Sequence, residues 1–153
     1  MIKQLILSII FVNSLFAVNL KIEDKISNFS LTDQFDKIHT ISNDIKIIIV
    51  TFQKDTLLMV NNFLSSKSSD FLENHKAIVI NDISSTPNII TKMFTLPKLR
   101  DYKYSILLIY DENNTKFTKQ TGKITTYSLE NGVIKDIRFL SSTYELEEFL
   151  KWI

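Results

Sequence analysis

Residues 46–52 read Lys-Ile-Ile-Ile-Val-Thr-Phe and run straight into Gln53-Lys54-Asp55-Thr56. A continuous β-branched run has no polar face to offer water. It therefore suits a strand buried on both sides, in a sheet with helices packed against it. Open α/β sheets place their sites at the carboxyl ends of such strands, and Gln53 stands at that point. The four polar residues from Gln53 to Thr56 are thus the first candidate site.

The rest of the chain is long enough to close a core around that strand. It has 153 residues, 44% of them apolar, which suits one domain with a single core. Lys and Arg number 18 against 17 acids. The first 17 residues hold Lys3 and no acid, so removing them leaves a balanced chain. Nucleic-acid binding needs a basic excess, so no nucleic-acid partner is expected. With only Gly122 and Gly132, no glycine-rich phosphate loop can be built. There is no cysteine, which excludes disulfides, thiolate nucleophiles and thiolate metal sites.

A short basic start, an apolar stretch from Leu5 to Val12 and a small residue at Ala17 describe a secretory leader. Cleavage after Ala17 predicts a signal peptide over 1–17, one domain over 18–153 and a periplasmic location. The rival is an uncleaved anchor. Asn13, Ser14 and Asn19 interrupt the stretch, which falls short of the ~20 residues of a span. No membrane span is expected after cleavage.

Phe29 to Thr32 and Ile38 to Ile41 alternate apolar and polar residues and predict a β-hairpin across Asp33–Lys37. Leu57, Met59, Val60, Phe63 and Leu64 predict a helix after Asp55, capped by Asp55 or Thr56. Phe71 and Leu72 continue helix to His75, and Ala77 to Ile80 is a second buried strand. Strand, helix and strand make a right-handed crossover. Ser84-Ser85-Thr86-Pro87 starts another helix, with Ile89, Ile90, Met93 and Phe94 as its apolar stripe and Pro97 near its end. Ile106 to Tyr110 is a third apolar strand, followed by a turn at Asp111-Glu112-Asn113-Asn114. Asn131-Gly132 joins two more strands, since both residues tolerate positive φ. Ser142 and Glu145 form a capping box before a helix with Leu146, Phe149 and Leu150 on one face.

This order resembles the thioredoxin-like fold, especially its peroxiredoxin and thiol-disulfide oxidoreductase branch. Ile26-Ser27-Asn28-Phe29-Ser30-Leu31-Thr32-Asp33-Gln34-Phe35-Asp36-Lys37 resembles that branch's opening P-x-F-x-L-x-D-x-x-G-K. Ser27 replaces the usual Pro and Asp36 the usual Gly. The resemblance implies an α/β fold with three layers, helix, sheet and helix, a central mixed sheet and an N-terminal β-hairpin. It also implies a reactive cysteine after the central strand, where this chain has Gln53-Lys54-Asp55-Thr56. A cis-proline before the third strand would face it; the resemblance puts Tyr104 and Ser105 there, with a trans bond expected.

Without the thiol, disulfide exchange through this site is excluded. The expectation is an exported thioredoxin-like domain, redox-inactive toward thiols, acting as a binding or accessory module. Its candidate ligand-binding residues are Gln53, Lys54, Asp55, Thr56, Tyr104 and Ser105, and its partner is a protein, a peptide or a small ligand. The bland alternative for Gln53–Thr56 is ordinary helix capping beside a solvated Lys54. A second expectation is an oxidoreductase with a borrowed cofactor such as a flavin, for which Tyr102, Tyr104 and Tyr110 offer flat rings. No residue motif calls for a resident cofactor. His39 and His75 lack partners at ligand spacing, so no metal is expected. Glu145, Glu147 and Glu148 read as a solvated helix face.

Overall fold

The computed structural model describes residues 19–26, 28–111 and 116–152. The leader over 1–17, the Ser27 position of the opening motif and the body of the turn at Asp111–Asn114 lie outside those residues.

The predicted hairpin forms from β1 (Phe29–Asp33) and β2 (Ile38–Ile41), paired antiparallel. Its turn needs one left-handed residue, and Asp36 supplies it with φ of 62°. The isoleucine run becomes β3 (Ile47–Thr51), in which every residue is buried. Helix α1 (Lys54–Leu64) follows, then the short α2 (Phe71–Asn74) and β4 (Ala77–Asp82), parallel to β3. A helical connection leads to β5 (Ile106–Ile109), parallel to β4. Strands β6 (Ile124–Glu130) and β7 (Val133–Leu140) form the Asn-Gly hairpin, with β6 antiparallel to β3. The seven strands lie in the order β2-β1-β5-β4-β3-β6-β7. This is the expected mixed α/β architecture.

Each sheet face has its own core. Ile47, Ile49, Val79 and Leu108 meet Leu57, Val60 and Phe63 of α1. Leu146, Phe149 and Leu150 of α5 (Thr143–Lys151) complete that cluster. On the other face Ile48, Val50, Ile80 and Tyr127 pack with Ile26 and Phe117. A parallel β3–β4–β5 core buried on both faces explains why its three strands read as unbroken apolar runs.

The connection between β4 and β5 departs from expectation in two ways. It consists of α3 (Asn88–Ile90), a π-helical turn over Thr91–Thr95, and α4 (Leu96–Leu99). Pro97 lies near the end of the helical segment, as expected, and inside its last turn. The ring of a proline clashes with the carbonyl four residues back in a regular helix. Here the Leu96 amide reaches back five residues to the Thr91 carbonyl, so the turn before Pro97 is widened. Second, the expected apolar stripe faces outward. Ile89 is 66% exposed, Met93 63% and Phe94 57%, and Ile90 is also exposed. The side that reaches the core carries Thr91 and Leu99, with Leu96 packed beside them. The segment has two apolar sides, and periodicity alone does not say which one turns inward.

Candidate functional site

Chain direction places the first candidate residues where the sheet topology requires. β3 ends at Thr51, and Gln53 is the N-cap of α1 with extended backbone, φ −139° and ψ 154°. Of the two expected caps it is Thr56 that acts. Its Oγ1 accepts from the Gln53 amide at 3.3 Å and donates to the Gln53 carbonyl at 2.9 Å. Thr56 is buried, while Gln53, Lys54 and Asp55 are exposed. Asp55 suits the positive end of the helix; Lys54 is a cation at that same end, where the dipole disfavours it by roughly 0.3–1 kcal/mol.

Tyr104 and Ser105 do not meet these residues. β5 is parallel to β3, so its beginning lies at the opposite end of the sheet from the end of β3. The registers pair Ile106 with Val79 and Val79 with Ile49, which sets Ser105 level with Ile48. Five residues of strand, about 16 Å, separate that level from Gln53. The element that does face Gln53 is the turn entering β6, because β6 runs antiparallel to β3. The Gly122 amide donates to Gln53 Oε1 at 2.7 Å, and Gly122 has φ of 73°. The resemblance puts the facing segment before β5, whereas the structure puts it before β6, at Gly122. The strong Asn131-Gly132 hairpin signal already marked β6 as the strand that folds back.

Ser105 and Tyr104 have other surroundings. Ser105 Oγ donates to Asp33 Oδ2 at 3.3 Å, and His39 Nε2 lies 2.7 Å from the same oxygen. Asp33 Oδ1 accepts from the Phe35 and Lys37 amides. Burial pushes the Asp33 carboxyl up, but the His39 contact and the two amides outweigh it and hold it below the ordinary carboxylate value. Gln34, also buried, accepts from the Ile106 amide and donates to the Tyr104 carbonyl, both at 2.8 Å. These residues fasten the start of β5 to the hairpin turn. The Tyr104 hydroxyl is buried and has no hydrogen-bond partner among the described residues. Burial and the neighbouring Tyr102 push its phenol up.

The three tyrosines do not make one platform. Tyr102 and Tyr104 stack on each other, with ring centroids 5.8 Å apart, while Tyr110 follows the far end of β5. His75 Nδ1 lies 2.8 Å from the Phe71 carbonyl and its ring stacks on Phe71. No group of three or more potential metal-ligating side chains occurs among the described residues. Glu147 and Glu148 pair with Lys151 on the surface of α5.

A groove of about 230 Å³ opens beside Gln53. Lys54, Leu57 and Leu58 of α1 form one side. Phe94, Thr95 and Lys98 of the β4–β5 connection form the other. Its floor includes Asn81 and Asp82 at the end of β4. Both are buried: Asn81 Oδ1 accepts from Thr51 Oγ1 at 3.0 Å, and Asp82 Oδ1 accepts from the Ser84 amide and hydroxyl. The groove thus has a polar floor already engaged by the protein, apolar walls and two lysines at its rim. It can take an apolar side chain and attract negative charge.

No family model matches the sequence, and no curated protein matches it. Solved structures do match its fold. A candidate protein disulfide isomerase from Bacteroides thetaiotaomicron aligns with a TM-score of 0.58 at 16% identity, over 87% of each chain. The peroxidoxin BcpB from Mycobacterium tuberculosis aligns with a TM-score of 0.56 at 16% identity, over 87% of this chain and 96% of that one. A thioredoxin-like protein from Porphyromonas gingivalis gives 0.54 at 14% identity, over 86% and 93%. At such identities the likeness shows the fold alone. The chain folds as a thioredoxin-like domain that carries no cysteine.

Proposed function

We propose that this domain is a binding or accessory module that holds a partner's chain in the groove beside Gln53 and Lys54. The observation that carries the reading is the groove itself. It lies at the carboxyl end of β3 and β4, where α/β sheets bind ligands, and its walls expose Leu58 and Phe94 to solvent. The placement of Lys54 supports it, because a lysine at a helix amino terminus does not serve the helix. Thiol exchange through a cysteine of this chain is excluded by its composition.

The leader reading makes the domain an exported, periplasmic one. A lipoprotein of the SCO1/SenC family from Bacillus anthracis is among the similar folds, at 12% identity and a TM-score of 0.51 over 85% of this chain and 95% of that one. Among the described residues no helix is long and apolar enough to cross a membrane. Mass spectrometry of the exported protein tests the leader; cleavage after Ala17 is expected, and an intact Met1 overturns it.

Site-specific photocrosslinking in the native host tests the binding reading. A photoreactive side chain at Leu58 should trap a discrete partner, and the same group at Tyr144, on exposed α5, should not. Adducts from Tyr144 alone, or none from Leu58, overturn it.

A further inference from the structure

The segment between Ser84 and Arg100 holds Lys92, Lys98 and Arg100 and no acid. Its outward side carries Ile89, Ile90, Met93 and Phe94. Leu58, 46% exposed, stands on the opposite wall of the groove, and Lys54 lies at its rim. Lys54, Lys92 and Lys98 form no ion pair with any described residue. Isolated exposed apolar residues are ordinary, but four within six positions of one helical segment, next to an apolar groove, make a patch. The π turn that points them outward is itself a device more common at functional places than elsewhere.

Resting on the binding reading above, we propose that this face docks an acidic amphipathic helix of a partner protein. Three observations select that occupant. The apolar residues Ile89, Ile90, Met93 and Phe94 recur at helical spacing over about one and a half turns, and Leu58 across the groove extends that surface, which matches a short stretch of one helix face laid beside them. The patch is concave where Phe94 faces Leu58 across the groove, so an apolar side chain can be seated there; a bilayer would favour a protruding surface. Asp82 is buried in the groove floor and Asp55 is exposed beside Lys54, but the three lysines Lys54, Lys92 and Lys98 outnumber them at the surface and form no ion pair with a described residue, so the complementary partner is acidic. They also disfavour a second copy of this chain, since a two-fold contact through this face would set Lys92 and Lys98 against their own counterparts.

The test uses a labelled synthetic helical peptide with leucine at i, i+3, i+4 and i+7 and glutamate on its other face. A twin peptide carries lysine for glutamate. Fluorescence anisotropy should show the glutamate peptide binding at least about tenfold more tightly than its twin, with the difference shrinking as salt rises from about 0.05 to about 0.3 M. Lys92→Glu combined with Lys98→Glu should reverse the preference. Met93→Ser combined with Phe94→Ser should abolish binding of both peptides while leaving the melting temperature in place. Equal binding of the two peptides, or undiminished glutamate-peptide binding by the lysine variant, overturns the proposal. So does sedimentation with phosphatidylglycerol vesicles by a protein that ignores both peptides, which would assign the face to a membrane. A dimer that dissociates on the Met93 and Phe94 substitutions would assign it to a second copy and overturn it too. If Leu58 still traps a partner while the glutamate peptide fails, the acidic-helix assignment falls and the binding reading stands; if Leu58 traps nothing, the binding reading falls.

Discussion

Asp36 adopts φ of 62° at the position where the resembling motif carries glycine. A side chain in this region costs about 1 kcal/mol, although aspartate tolerates it better than most. Asp36→Gly should therefore raise stability by up to about 1 kcal/mol, read from urea unfolding; a loss would mean its distant Arg100 contact, 4.0 Å away, matters more. Asp33 shows the opposite balance. It is buried and receives His39, Ser105 and two amides. Asp33→Ala leaves those donors without their acceptor and should cost about 3 kcal/mol. Its carboxyl is held below the ordinary value in the folded protein, so its stabilising effect is complete above the ordinary value and is lost as pH falls from there through the lowered one. Acid unfolding of Asp33→Asn should accordingly show a shallower loss of stability below about pH 4 than the parent; an unchanged profile would contradict this. The turn over Asp33–Lys37 was legible in its residues, but the left-handed backbone at Asp36 was not, because aspartate stands where the motif has glycine. The Asp33 network was not, because Ser105 lies 72 residues away and only the folded sheet brings it near.

Among the helices, α5 and the β4–β5 connection mark the limits of what periodicity tells. In α5 the cap and the stripe agree: Ser142 Oγ accepts from the Glu145 amide at 3.1 Å, and Leu146, Phe149 and Leu150 are buried. The Glu145 carboxylate accepts from the Ser141 amide, one residue before the cap. Ser142→Ala should cost about 1 kcal/mol. In the β4–β5 connection the same kind of pattern pointed the wrong way, because a second apolar side, ending in Leu99, fills the core. The contrast gives a direct measurement. Phe94→Ser should change stability by less than about 0.5 kcal/mol, whereas Leu99→Ala should cost about 2–5 kcal/mol. Comparable losses at both positions would return Phe94 to the core and remove the exposed patch.

Across the whole molecule, strand direction decides which residues can act together. The apolar runs announce three buried strands, but they do not say that the third runs parallel to the first. With β5 parallel to β3, one end of the sheet carries Gln53, Lys54, Gly122 and the groove, and the other carries Tyr104, Ser105 and the Asp33 network. The two ends share a core, and the groove's lining bridges them: Tyr102 stacks on Tyr104, and Gln34 Nε2 donates to the Leu99 carbonyl at 3.3 Å. Tyr104 is the residue on which this separation can be measured. Its hydroxyl is buried without a partner among the described residues, so Tyr104→Phe removes an unpaired polar group and leaves the ring stacked on Tyr102. Stability should rise by about 1 kcal/mol, or about 3 °C in melting temperature for a domain of this size. Binding of the glutamate peptide should stay within about twofold, because Tyr104 does not itself line the groove and its hydroxyl touches no described polar group, while Tyr102, which does line the groove, keeps the ring stacked on it. A protein that gains stability and keeps its binding has two independent ends. If Tyr104→Phe instead weakens binding tenfold at unchanged stability, Tyr104 and Gln53 serve one site after all, and the groove is not the whole of it.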